Sequence, residues 1–256
     1  LSEKRSEEQL IADAVAAARK ADAVIFVGGL NKSDHQDCEG ADRLQYGLPY
    51  AQDKVIEALA GANPNLAVVI VSGNAVAMPW IDRVPAVLEA WFSGSEAGNA
   101  LADVVFGAVN PSGKLPFTFP VRLEDNSAHA LGEYPGTDKI AYNEGIFVGY
   151  RWHDKERIKP LFAFGHGLSY TTFDQELLGV SYNADTDNYE VQVKVTNTGS
   201  AAGRSVVQVY AQTPYGDYEK ENGVEKSAVQ VVGFEKTGTL QPGESATVTA
   251  EVRRYM

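Results

Sequence analysis

The sequence is poor in sulfur, in cations and in long apolar runs. One cysteine, Cys38, in 256 residues excludes an intramolecular disulfide and a zinc site built from cysteines. No apolar stretch approaches the roughly 20 residues with which a helix crosses a bilayer, so no membrane partner is expected. Lys and Arg total 22 against 34 Asp and Glu, a net charge of −12. That balance argues against nucleic acid and anionic membrane surfaces as partners. Phosphate-loop motifs are missing too. Gly28-Gly29-Leu30-Asn31 lacks the G-x-G-x-x-G spacing, and Ser112-Gly113-Lys114 continues with Leu115 instead of Ser or Thr. Gly94-Ser95-Glu96-Ala97-Gly98 has Glu where a serine-hydrolase elbow needs Ser, and reads as a tight turn into a helix.

What is present divides the chain in two. The first half alternates helices with buried strands. Ser6 and Gln9 form a capping-box pattern before an amphipathic run carrying Leu10, Ile11, Ala14, Val15 and Ala18. Ala23–Gly28 predicts a strand. Pro49 is placed to open a helix carrying Val55, Ile56 and Leu59, with Gly61 to end it. Leu66–Val71 is apolar on both faces, as in a strand covered by helices on both sides. Ala86–Trp91 reads as a third strand and Glu96–Phe106 as a helix. The order predicts an α/β fold with a largely parallel sheet flanked by helices.

From Asn110 to Phe173 the pattern is irregular, with Ile146–Arg151 read as a strand. Beyond Phe173, Tyr189, Val191, Val193 and Val195 alternate with polar residues, the period of a half-buried antiparallel strand. Val206–Thr213, Val229–Phe234 and Ala246–Val252 continue the series, with turns at Asn197-Thr198-Gly199 and Gln241-Pro242-Gly243. A small β-sandwich follows from this, and the boundary is placed near Phe173: 1–173, then 174–256. The charged opening without an initiator methionine and the strand-like end give the expectation of a portion of a longer protein.

The residues with chemistry lie mostly in the polar loop Asn31–Arg43, beyond the first strand. Open α/β sheets bind ligands past the carboxyl ends of their strands. The loop holds Asp34, His35, Asp37, Cys38, Glu39 and Asp42. Its oxygen atoms do not follow a calcium-loop spacing, so no metal is expected. Two readings stay open: a solvated loop whose acids pair with Arg43, and a general acid/base role for Glu39. Trp91 and Phe92 follow the third strand and read either as a sugar platform or as core aromatics. His129, His153 and His166 are scattered singly and read as structural.

Glu39-Gly-Ala-Asp-Arg43 followed by Leu48-Pro-Tyr-Ala-Gln52 resembles the acid/base loop and following helix of glycoside hydrolase family 3, the β-glucosidases and their relatives. Phe92-Ser-Gly-Ser-Glu-Ala-Gly98, Asn110–Pro120, Glu144–Arg151 and Pro160–Phe173 resemble its later segments. Val195–Gly199 and Val207–Tyr210 resemble its fibronectin type III-like domain. The resemblance implies an α/β sandwich domain over 1–173, with wrapping loops. A fibronectin type III-like β-sandwich over 174–256, truncated at its C-terminus, would follow. It implies a retaining exo-acting β-glucosidase acting on a β-glucoside or short oligosaccharide. Glu39 would be the general acid/base, and the nucleophilic aspartate would lie on a separate N-terminal (β/α)8 barrel. Trp91 and Phe92 are the substrate-binding candidates, and no cofactor is expected. β-Xylosidase activity and a non-catalytic carbohydrate-binding module are the alternatives. A periplasmic or secreted setting fits the resemblance, with any targeting segment upstream.

Overall fold

A computed structural model describes residues 5–136 and 138–254. Leu1–Lys4 and Tyr255–Met256, on which the expectation about the chain's ends partly rests, lie outside the described residues. The chain forms two compact units, one reaching to Leu101 and the other starting at Ala102.

The first unit is built on a parallel sheet. α1, Glu7–Ala18, begins at the expected capping box: Gln9 N donates to Ser6 Oγ at 3.3 Å, and Ser6 N donates to Gln9 Oε1 at 2.9 Å. β1, Val24–Gly29, pairs in parallel with β2, Leu66–Val71, which pairs in parallel with β3, Ala86–Glu89. The continuous apolar run of β2 is explained by its central position, where Leu66, Val68, Val69 and Ile70 are buried. Burying each such side chain is worth about 1.5–3 kcal/mol.

α2, Gln52–Ala62, starts later than Pro49 predicts and runs through Gly61. Tyr50 and Ala51 both have left-handed φ values, 58° and 57°, which an advancing helix cannot include. At the other end Asn63 is extended, and its Nδ2 donates to Ala18 O and Ala21 O at 2.9 and 2.8 Å. This ties α2 to the end of α1. Gly94–Glu96 forms a 3-10 turn leading directly into α3, Ala97–Val105.

The second unit contains the short helix α4, Ser127–Ala130, and α5, Tyr150–Glu156. The strand expected at Ile146–Arg151 is not formed. Gly145 and Gly149 both sit at φ 58°, so this stretch turns twice before entering α5. Phe147, which lends it a strand-like composition, is nonetheless buried, as is Trp152 just beyond it in α5.

An antiparallel sheet follows, β4 (Phe173–Asn183), β5 (Asn188–Asn197) and β8 (Ser245–Arg253), in the order β4-β5-β8. A second sheet pairs β6, Val206–Ala211, with β7, Gln230–Lys236. The helix α6, Asp217–Asn222, interrupts the connection between β6 and β7. The alternation read from β5 holds, with Val191, Val193 and Val195 meeting Val207 and Leu240 in the core.

Candidate active site

The site grows from the carboxyl ends of the three parallel strands. Leu30 N donates to Val71 O at 2.8 Å, carrying the β1 ladder one residue further. Gly29 has φ +136°, and a β-carbon there would meet Val71 O at 2.1 Å, so only glycine lets the strands approach this closely. Gln52, at the start of α2, behaves like a short extra strand: its Oε1 accepts Gly29 N at 2.7 Å and its Nε2 donates to Gly29 O at 2.8 Å.

The loop from Asn31 is folded on itself. Ser33 N donates to Asn31 Oδ1 at 2.7 Å, Asn31 N to Gln36 Oε1 at 3.1 Å, and Asp37 N to Asn31 O at 3.0 Å. Gln36 is buried and its Nε2 donates to the Tyr50 hydroxyl at 2.7 Å. His35 Nδ1 lies 3.1 Å from Asp42 O, and Cys38 Sγ 3.4 Å from Ala41 O.

Two side chains then fasten the loop to the turn after β2. Asp37 Oδ2 accepts Gly73 N at 2.5 Å. Arg43 Nη2 donates to Ala75 O at 2.8 Å, and its Nε donates to Gln45 O at 3.2 Å. Burial pushes the Arg43 guanidinium below its ordinary value, against the opposing charge of Asp37. Arg43 thus organises the loop, and Glu39 is exposed between the two fastenings.

The end of β3 carries a feature that the sequence reading passed over. Glu89 is half-buried, and its Oε1 accepts Trp91 N at 3.1 Å. Ser72, fully buried at the end of β2, places its Oγ 3.2 and 3.3 Å from the two carboxyl oxygens. Burial pushes the Glu89 carboxyl up to about 7, opposed by hydrogen bonds from Trp91 and Ser72 and reinforced by the charge of Asp37. The signal available was an acid at the end of an apolar strand run, where burial is expected on one side.

Of the other candidates, Trp91 is half-buried with a left-handed φ of 55°. Phe92 is exposed, and Lys32 Nζ sits 4.4 Å from its ring centroid. Phe92 and Asp37 converge on Gly73: a β-carbon on that glycine would lie 3.1 Å from the ring and 2.8 Å from the carboxylate. The three histidines have structural surroundings. His153 is buried with Nδ1 3.1 Å from Ile158 O, His166 stacks on Phe162, and His129 packs edge-on against Tyr134.

Residues 1–170 match the model of the glycosyl hydrolase family 3 C-terminal domain. The chain belongs to glycosyl hydrolase family 3. Residues 205–256 match the fibronectin type III-like domain that follows. Among curated family members, β-glucosidase BoGH3A of Bacteroides ovatus is 54% identical over 203 residues, covering 77% of this chain and 27% of that protein. Thermostable β-glucosidase B of Acetivibrio thermocellus is 44% identical over 246 residues, covering 95% of the chain and 31% of that protein. The crystal structure of DesR, a β-glucosidase from Streptomyces venezuelae in complex with D-glucose, superposes with a TM-score of 0.87 at 41% identity. It covers 96% of this chain and 30% of DesR. The chain thus spans less than a third of the length of these family 3 relatives.

Proposed function

We propose that this chain is the acid/base-bearing portion of a retaining, exo-acting β-glucosidase, with Glu39 as the general acid/base. The observation that carries the reading is the mounting of Glu39. It stands exposed beyond the carboxyl edge of a parallel sheet, between anchors at Asp37 and Arg43. A flexible carboxylate does not protonate a leaving group efficiently, whereas one on a fastened loop can be delivered to a fixed position.

Hydrolysis with retention needs a second carboxylate about 5–5.5 Å from the first. In this proposal an aspartate on an N-terminal barrel attacks the anomeric carbon while Glu39 protonates the departing glycosidic oxygen. Glu39, then ionised, takes a proton from water as that water opens the glycosyl-enzyme ester. Trp91 and Phe92 supply part of the wall around the sugar. With Lys32 on one face of Phe92, a sugar stacks only on the other. Residues 1–173 carry the site and 174–256 act as scaffold. The chain without a barrel is catalytically silent.

The test is Glu39→Ala in the full-length enzyme. Turnover of disaccharides should fall by about 10²–10⁴-fold, the range for loss of a general acid, while aryl glycosides with good leaving groups lose less and azide restores their turnover. Undiminished disaccharide hydrolysis would sink the assignment.

A further inference from the structure

The proposed chemistry makes no use of Glu89, yet this carboxyl sits where the loop and two strand ends meet. The oxygen–oxygen distances around it bear on which groups carry hydrogens. Ser72 has one hydroxyl proton and three acceptors within reach: Asn74 O at 2.8 Å and the two Glu89 oxygens at 3.2 and 3.3 Å. The shortest of these contacts takes the proton, which leaves Ser72 Oγ as an acceptor toward Glu89. Two acceptors facing one another in a buried place repel, unless the carboxyl itself carries a hydrogen. With a protonated Glu89 every group is satisfied. Trp91 N–H donates to Oε1, the Oε2 hydroxyl donates to Ser72 Oγ, and Ser72 donates to Asn74 O.

We propose that Glu89 is a proton-gated positioning residue: when protonated, it closes the chain Glu89–Ser72–Asn74 that sets the Ser72–Ala75 turn on which the Glu39 loop is fastened. Both fastenings lie on that turn, Asp37 on Gly73 N and Arg43 on Ala75 O. Removing the proton has two effects. A second negative charge appears beside Asp37, and the Ser72 hydroxyl is drawn from Asn74 O to the new carboxylate. The turn then loses the bond that shapes it. The other charges of this region are Arg43, on which Asp37 acts, and Lys32, which lies over the Phe92 ring. Burial of Glu89 and the charge of Asp37 favour the same protonated form, against hydrogen bonds from the backbone N–H groups of Trp91 and Ser72 that favour the ionised one. The consequence for Glu39 rests on its assignment above, whereas the fastening itself does not.

The experiment is a carboxyl ¹³C and amide titration of this 256-residue chain from pH 4 to 9, for the wild type and Glu89→Gln. Glutamine keeps an acceptor for Trp91 N–H and offers Ser72 an N–H donor, so it imitates the protonated state at every pH. Glu89 should titrate near pH 7, well above the ordinary glutamate value of 4.5. The Gly73 and Trp91 amides and those of residues 37–43 should move with the same midpoint in the wild type and stay still in the variant. In the full-length enzyme, Glu89→Gln should raise the ratio of kcat/KM at pH 8.5 to that at pH 6 by about threefold or more. A Glu89 midpoint in the ordinary range, loop amides that ignore its titration, or an unchanged pH ratio would overturn the proposal. Retained activity in Glu39→Ala would remove the catalytic reading and leave the titration results standing, so the two failures are separable.

Discussion

The Asp37 carboxylate accepts the Gly73 amide at 2.5 Å, joining residues 36 apart in the chain. A carboxylate bound to a backbone N–H is among the stronger hydrogen bonds available to a loop. It places the residue two before Glu39 at the carboxyl end of the central strand, beside a turn that Glu89 also reaches through Ser72.

That contact needs a bare α-carbon at Gly73. In Gly73→Ala the new methyl would meet Asp37 Oδ2 at 2.8 Å and the Phe92 ring at 3.1 Å. Gly73 is exposed and both obstructing groups are side-chain ends that can swing away, so the cost is the charged hydrogen bond that Asp37 gives up, about 1.5–3 kcal/mol. Urea denaturation should show the loss, together with a shift of the Asp37 carboxyl signal. An unchanged midpoint would mean that the loop is not held against this turn.

Glu89 also makes stability depend on pH. Its carboxyl stands at about 7 in the folded chain against an ordinary value of 4.5. Below pH 4.5 it is protonated in both states and its contribution is fully present. Between 4.5 and 7 the unfolded chain releases the proton first, so stability from this group falls as pH rises and levels off above about 7. With allowance for solvent screening of a half-buried site, the loss is about 1–2 kcal/mol. Denaturation of the wild type and Glu89→Gln at pH 5, 6, 7 and 8 should show the wild type losing ground to the variant across that window. Parallel curves would contradict this.

In the β-sandwich, Asn197 is fully buried and uses both ends of its amide. Its Oδ1 accepts Thr171 Oγ1 at 2.7 Å and Gly199 N at 3.1 Å, and its Nδ2 donates to Ala201 O at 2.8 Å and Leu240 O at 2.9 Å. Asn197→Asp keeps the shape but turns two donated bonds into carbonyl–carboxylate repulsion. The expected cost is at least about 3 kcal/mol, from two unsatisfied carbonyls and a buried charge. Thermal unfolding at pH 7 checks it, and a loss below about 1 kcal/mol would show that water or rearrangement satisfies the site.

Much of the fold was legible because the signals are local. The capping box at Ser6 and Gln9 specifies the start of α1 by neighbouring groups alone. Leu66–Val71 and the alternation through β5 announce which faces are buried. Where several conformations suit one composition, the reading failed. Pro49 signals a helix start, but two left-handed residues delay it to Gln52. Ile146–Arg151 has the aromatic and β-branched content of a strand and instead turns at two glycines into α5.

The sequence alone determined the family, the parallel-sheet half, the antiparallel half, and the loop that displays Glu39. These follow from motifs and hydrophobic periods that each involve a few neighbouring residues. Tertiary structure decided that Asp37, Ser72 and Glu89 meet at one turn. That meeting depends on the parallel register that sets Glu89 opposite Ile70 and on a loop folded back over Gly73. It also raised the Glu89 carboxyl to about 7, because desolvation belongs to the surroundings of a carboxyl and not to its place in the chain.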